Sequence, residues 1–554
     1  MLKDNIRKYA LDNAVKHDGK AVLGSIIGKL INEDPSIKNK LKELSKEIQL
    51  IINEVNKLNI NQQISELKKL APELLEKREK QEAVLKELPN VSKNVVMRIA
   101  PFPSGPLHIG NARTAILNDE YRKKYNGKLL LVMDDTIGSE EKQIAKEAYT
   151  LIPEGLKFLN IEYDKNVIYK SDRLNIYYKY AEELIKKNKV YVCSCSHEKI
   201  RENRANATEC NCRKQSIHEN TNQWKLMFDK KTREGAFVLR LKTSMQDKNP
   251  AFRDRVLFRI SERAHPRVNN KYKVWPLLEF SWAIDDHLLN VTHIIRGKDL
   301  MIESEMEKYI WDIFGWKHAE LLYNGLLQLE GIKISKSKAQ KEVKSGEYFG
   351  WDDPRTWSLQ SLKRRGIRAE AIRTFLLQFG MNQNEVTAPI DGLYAENKKL
   401  IEKEANRYFF IENLNKIKIK NIPKSIKEAK APLHPDYPDR GSRILKINDE
   451  FYVSDDMEKN KVYRFMHLFN FKNNEFVSEK YDQKLNAKMI HWLPVSKDLV
   501  NTEILMDDGS IKKGLAEEDV KNIKENSIIQ WERFAFCKLD KKDKNKLVFW
   551  YTHK

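Results

Sequence analysis

Along residues 1–90 apolar side chains recur every three or four positions. Ile6 to Val15, Ile37 to Leu58 and Gln63 to Leu88 each carry that period, which predicts three helices and a helical extension over residues 1–93. Pro89-Asn90-Val91-Ser92 closes it as a linker. From Asn94 the texture changes. Val95 to Ile99 reads as a buried strand, Asn111 to Tyr125 as a helix, and Leu129 to Met133 as a second buried strand running into Asp134-Asp135-Thr136. Strand, helix and strand without alternating polarity predict a parallel sheet covered on both faces. Ligands of such sheets bind at the carboxyl ends of the strands, where Arg98, the loop after it and Asp134 fall. Beyond about residue 390 the runs are short and aromatic: Val462 to Phe471, Ala487 to Leu493, Ile504 to Met506, Ile528 to Cys537 and Leu547 to Tyr551. Turn residues bound each, which predicts all-β barrels.

A chain of 554 residues should hold three to five domains of roughly 100–200 residues each. It is 41% hydrophobic and 32% charged, and no window approaches the eighteen or more apolar residues of a membrane span. The start, Met1-Leu2-Lys3-Asp4-Asn5, lacks the apolar core of a signal peptide, so a cytoplasmic protein is expected. The net charge of +21 is spread over the whole length and leans on the middle. That suits an extended polyanion lying across several domains, with a merely lysine-rich composition as the alternative. Four of the five cysteines form two tight pairs, Cys193-Ser194-Cys195 and Cys210-Asn211-Cys212. Such pairs can set a tetrahedral structural Zn2+ site. The spacing is tighter than the usual C-x-x-C, and free thiols or a knuckle without metal stay open. His197 and His218 are spare ligands that rank behind the cysteines, and Cys537 stands apart.

Neither a Walker A loop nor a dinucleotide fingerprint is present, so the sheet must handle nucleotide in another way. Two segments offer one. Arg98-Ile99-Ala100-Pro101-Phe102-Pro103-Ser104-Gly105-Pro106-Leu107-His108-Ile109-Gly110-Asn111 is an apolar strand, a Pro/Gly-rich turn with a histidine, and a helix start. Gly105 and Gly110 permit close approach of phosphate to the main chain, and the helix start offers free N–H groups and a positive dipole end. More than two hundred residues later, Lys333-Ile334-Ser335-Lys336-Ser337 supplies a basic, hydroxyl-rich loop. Together they resemble the HIGH and KMSKS motifs of the class I aminoacyl-tRNA synthetases. Their flanks, with Lys271 to Leu300, resemble the glutamyl/glutaminyl branch in its archaeal form.

The resemblance covers about residues 94–554, and it implies ATP-dependent ligation of glutamate to tRNA-Glu through a glutamyl-adenylate. It places ATP, with Mg2+ riding on it, against Pro101, Gly105, His108, Gly110, Asn111, Lys333, Ser335, Lys336 and Ser337. His108, Lys333 and Lys336 would stabilise the phosphates during transfer. Asn111 stands where the family has its second histidine. Arg98 would hold substrate carboxylate, Asp134 its ammonium, and Arg296 the side-chain carboxylate. A guanidinium pairs bidentately with carboxylate and is poorly satisfied by an amide. The family's pocket tyrosine aligns with Leu278, and that contact is not carried over. Ile284-Asp285-Asp286-His287 reads as structural or as a contact to the tRNA 3′ end.

The expected architecture is therefore a helical extension (1–93), a Rossmann-type catalytic domain (94–310) with an acceptor-stem insertion at about 190–275 that includes the four-cysteine zinc knuckle, a KMSKS-loop and stem-contact helical region (311–390), and two anticodon-binding β-barrels (391–554). The expected partners are tRNA-Glu, glutamate and ATP, with no membrane and a monomer as the default; charging of tRNA-Gln with glutamate is left open. A glutaminyl enzyme shares every feature except Arg296. A non-catalytic tRNA-binding paralogue would be expected to lose His108 or Lys336.

Overall fold

A computed structural model describes every residue except Met1, 17–18, 34–40, 75–84, 92–93, 139–142 and 333–335. The chain divides into two compact units, Met1–Val84 and Leu85–Lys554.

The first unit is helical, as its periodicity predicts, but its described residues hold four α-helices where three were expected: Leu2–Lys16, Leu23–Glu33, Leu41–Val55 and Ile60–Leu70. Leu23–Glu33 contains Gly24 and Gly28, which lower helix propensity. Its Ile26 and Leu30 are nonetheless buried with Ile6, Leu11, Ile48 and Ile52, and that packing overrides the propensity. The fourth stops at Leu70 because Ala71 precedes Pro72 and is pushed out of the helical region; of the run expected to reach Leu88, residues 75–84 lie outside the described ones. Asn59 and Gln62 form a capping box at its start.

The second unit opens on a parallel sheet of Val96–Ile99, Lys128–Met133 and Ile168–Tyr169, with the helix Ile109–Lys124 as crossover. His293–Gly297 and Glu320–Asn324 form a further parallel pair. Thr292 N–H donates to Val96 O at 2.8 Å and sets that pair against the first strand. Alternate residues face opposite sides. Leu129, Leu131 and Met133 pack with Ile116, Ile152 and Leu156, while Leu130 lies against a second core with Phe280 and Ile294. Between the two groups of strands the chain makes an antiparallel sheet of Val190–Cys193, Val238–Leu241, Val256–Ile260 and Val274–Pro276.

The basic stretch after Ser358 is two helices, Leu359–Arg365 and Ala369–Leu377. The first seats the β-rich remainder. Arg364 donates to both oxygens of Asp540 at 2.8 Å, and Arg365 donates to the Tyr551 and Thr552 carbonyls at 3.2 and 3.1 Å. A seven-stranded sheet buries Ile504, Trp531 and Phe549, and smaller sheets enclose Phe451, Phe465, Phe471 and Trp492. Among the described residues no helix is long and apolar enough to cross a membrane.

Candidate active site

At the carboxyl ends of the parallel strands lies a cleft of about 560 Å³, whose walls include Arg98, Pro101, His108, Asp134, Trp282 and Arg296. With Asn324 to Leu327, residues from five separate stretches of sequence meet there.

The end of the cleft at the His108 loop is built by backbone. Asp134 N–H donates to Pro101 O at 3.1 Å, tying the ends of the first two strands together. His108 is the N-cap of the crossover helix, and its Nδ1 accepts from Gly110 N–H at 3.1 Å. A neutral imidazole that accepts at Nδ1 carries its proton on Nε2, the donor tautomer. Asn111 turns its side chain back so that Oδ1 meets the His108 N–H at 3.5 Å, completing a capping box. The expectation of free N–H groups at this helix start is not met. Ile109 N–H goes to Trp357 O, Gly110 N–H to His108 Nδ1, and the Asn111 and Ala112 N–H groups to His108 O. The helix therefore offers its dipole rather than open donors.

The loop is also buttressed by a segment that sequence reasoning missed. Trp351 packs against Gly105, where an added Cβ would come within 2.6 Å of the indole. His108 bridges to Ser358, and Leu359 N–H donates to Leu107 O at 2.9 Å. Of the KMSKS-like loop, Lys333, Ile334 and Ser335 lie outside the described residues. Lys336 and Ser337 begin the helix Lys336–Ser345.

At the opposite end of the cleft Arg98 and Arg296 already have protein partners. Arg98, 4% exposed, donates through Nε and Nη2 to Asp286 at 2.6 and 2.8 Å. Arg296, equally buried, donates through Nη1 and Nη2 to Glu307 at 2.6 and 3.1 Å, and through Nη1 to Ser304 Oγ at 3.0 Å. Burial pushes the Glu307 carboxyl up, against the pull of Arg296. Asp134 forms an ion pair at 3.0 Å with Lys170, a fully buried lysine that also donates to Ser281 Oγ at 2.8 Å. The Asp134–Lys170 contact is an ion pair without hydrogen-bond geometry, and Asp134 Oδ1 accepts no hydrogen bond. Arg98, Lys170 and Arg296 surround one indole, that of Trp282, at 5.1, 5.2 and 4.4 Å from its ring. Cation–π attraction holds them there.

Lys170, Glu307 and Trp282 were not singled out from sequence. A lone lysine in Tyr169-Lys170-Ser171-Asp172 carries no signal of burial. Asp285 and Asp286 are both buried and bonded to other side chains of the protein. Asp286 serves Arg98, and Asp285 accepts from Arg173 Nε at 2.8 Å and Tyr177 OH at 2.6 Å. Desolvation raises the Asp285 carboxyl and drives the Tyr177 hydroxyl well above its usual range.

Beside the inserted sheet the Sγ atoms of Cys193, Cys195, Cys210 and Cys212 all lie within 4.8 Å of one another, and none is in a disulfide. The Cys193–Cys210 separation is 3.8 Å. Tetrahedral zinc with Zn–S bonds of about 2.3 Å needs sulfur–sulfur edges of about 3.8 Å, so the donor set fits that ion. The fully buried Arg240 reaches the Cys193 and Cys210 sulfurs at 3.9 and 3.8 Å. Neither His197 nor His218 belongs to the cluster.

The family model for the catalytic domain of class I tRNA synthetases (E and Q) matches residues 94–403, and the model for their anticodon-binding domain matches residues 405–491. The glutamate–tRNA ligases of Methanocaldococcus jannaschii, Methanobrevibacter smithii and Methanococcus maripaludis are 42%, 41% and 39% identical to the chain, in each case across the whole of both proteins. With the catalytic-domain match spanning the cleft and both motif segments, the chain belongs to the class I tRNA synthetases of the E and Q type.

Proposed function

We propose that the protein joins glutamate to tRNA-Glu at the expense of ATP. The observation that carries this reading is the juxtaposition, in one cleft, of His108 at a helix start with Arg98, Asp134 and Arg296. Two cations and a carboxylate suit an amino acid with two carboxylates and one ammonium. The full-length relatives named glutamate–tRNA ligase support the same activity.

In the first step a glutamate α-carboxylate oxygen bonds to the α-phosphorus of ATP, and the bond to pyrophosphate breaks. Asp134 holds the ammonium, Arg98 the α-carboxylate, and Arg296 the side-chain carboxylate. His108 donates from Nε2 to the α-phosphate as charge grows, and Lys333 and Lys336 neutralise the departing pyrophosphate. Magnesium carried on the ATP would share that neutralisation with few direct protein ligands. In the second step the 2′-hydroxyl of the terminal adenosine attacks the glutamyl carbonyl and AMP leaves. The side chains mainly position and stabilise, with little acid–base work. Lys336→Ala is expected to slow adenylate formation severely while tRNA binding stays near normal. Unchanged pyrophosphate exchange, measured with tRNA present, would remove Lys336 from this role.

Cys193, Cys195, Cys210 and Cys212 are proposed to hold a structural zinc in the insertion that receives the acceptor stem. Metal analysis of purified protein should give about one zinc per chain, lost together in Cys210→Ser. A metal-free, fully folded protein would retire this assignment.

A further inference from the structure

We propose that Glu307 makes this pocket select glutamate over glutamine, by fixing which edge of Arg296 is left for the substrate. The inference rests on the glutamate-charging reading above. A guanidinium has five N–H donors in a rigid fork. Glu307 takes one from each of Nη1 and Nη2, at 2.6 and 3.1 Å, and Ser304 Oγ takes the other Nη1 hydrogen at 3.0 Å. What remains is the second Nη2 hydrogen and the Nε hydrogen, side by side on one edge. Nε is buried and has no hydrogen-bond partner. Asp286 Oδ2, 3.9 Å from Nη2, is too distant to occupy that edge by a hydrogen bond.

Arg98 is held the opposite way. Asp286 consumes its Nε and Nη2 edge, so its remaining donors point elsewhere. The two arginines of the cleft are thus oriented by two carboxylates in complementary modes. Ser304 and Glu307 sit three residues apart on the helix Met301–Phe314, on one face, so a single element delivers both pins. The Trp282 ring, 4.4 Å from the Arg296 guanidinium carbon, fixes its plane from a third side.

Two parallel N–H donors on one edge match the two oxygens of a carboxylate. A primary amide presents one oxygen and one NH2, so one of the donors would face another donor, which is the situation a buried site rejects. Were the guanidinium free to turn, it could offer a single donor to an amide oxygen and the distinction would weaken. Glu307, 0% exposed and bonded to Arg296 rather than lining the cleft, is therefore a positioning residue.

The test measures charging of tRNA-Glu with labelled glutamate, the KM for ATP, and the inhibition constant of glutamine against glutamate, for the wild-type protein, Glu307→Gln and Ser304→Ala. Glu307→Gln should raise the KM for glutamate on the order of ten- to a hundredfold and lower the ratio of glutamine inhibition constant to glutamate KM, with the KM for ATP unmoved. Ser304→Ala should shift the same ratio in the same direction by less. A merely structural role would depress glutamate and ATP use together and leave the ratio alone, and that result overturns the proposal. If Glu307→Gln does not fold, Ser304→Ala decides: an unchanged ratio overturns the proposal, a lowered one supports it. A wild-type protein that charges no glutamate refutes the activity itself. Normal wild-type charging with unaltered variants refutes only the role of Glu307.

Discussion

The two ends of the cleft, which the proposed function gives to glutamate and to the phosphates of ATP, are built by different means. The amino-acid end is built of buried side-chain ion pairs: Arg98 with Asp286, Arg296 with Glu307, and Lys170 with Asp134. The phosphate end is built of backbone: a proline-rich turn, a helix whose first N–H groups are already bonded, and an indole pressed on Gly105. Buried ion pairs are rigid and costly to break on one side, which suits discrimination between similar small molecules. A backbone cradle tolerates side-chain change but not added volume. The difference teaches where each end should be fragile.

The largest effect is expected at the amino-acid end. Asp286→Ala would leave the Arg98 guanidinium buried without its carboxylate, at a cost of about 3–5 kcal/mol, and would abolish glutamate use. Chemical denaturation and charging assays read both. A variant of normal stability would mean that the Arg98–Asp286 pair is not the anchor of this region. The phosphate end should respond to volume instead. Gly105→Ala drives a Cβ into Trp351, which as overpacking costs about 1–3 kcal/mol and should appear as a raised KM for ATP with glutamate KM little changed. Adding Trp351→Leu should return part of the loss. If the two KM values rise equally, the ends are not separable in this way. The smallest change is expected for Asn111→Ala. Its side chain caps a helix at 3.5 Å, so about 1 kcal/mol or less should be lost, visible as a slight drop in melting temperature. A complete loss of activity would instead mean that Asn111 contacts ATP directly.

The same contrast governs what could be read from the amino acids alone. Arg98, His108, Asp134 and Arg296 are legible because they stand in contiguous motifs next to strand ends. Their counter-ions are not. Asp286 is 188 residues from Arg98, and nothing in Glu307 or Lys170 distinguishes them from surface residues until the chain folds. Trp351 is invisible for the same reason, since its contact with Gly105 depends on how the segment before Leu359 pairs with the loop. The parallel strands and the aromatic barrel strands were legible from their apolar runs. The parallel pairing of Asn406–Tyr408 with Ile528–Trp531 was not, because periodicity carries no register between distant segments. In the helical unit, spacing overreached at Pro72 and missed Leu23–Glu33, where packing outweighs two glycines.

The most direct measurement is aminoacylation of purified tRNA-Glu and tRNA-Gln transcripts with labelled glutamate and, separately, labelled glutamine. The account predicts glutamate on tRNA-Glu and no glutamine on either transcript; glutamate on tRNA-Gln as well would mark a relaxed acceptor choice with the same pocket. Glutamine on tRNA-Gln, with glutamate refused, would contradict the reading of Arg296 and with it the central claim.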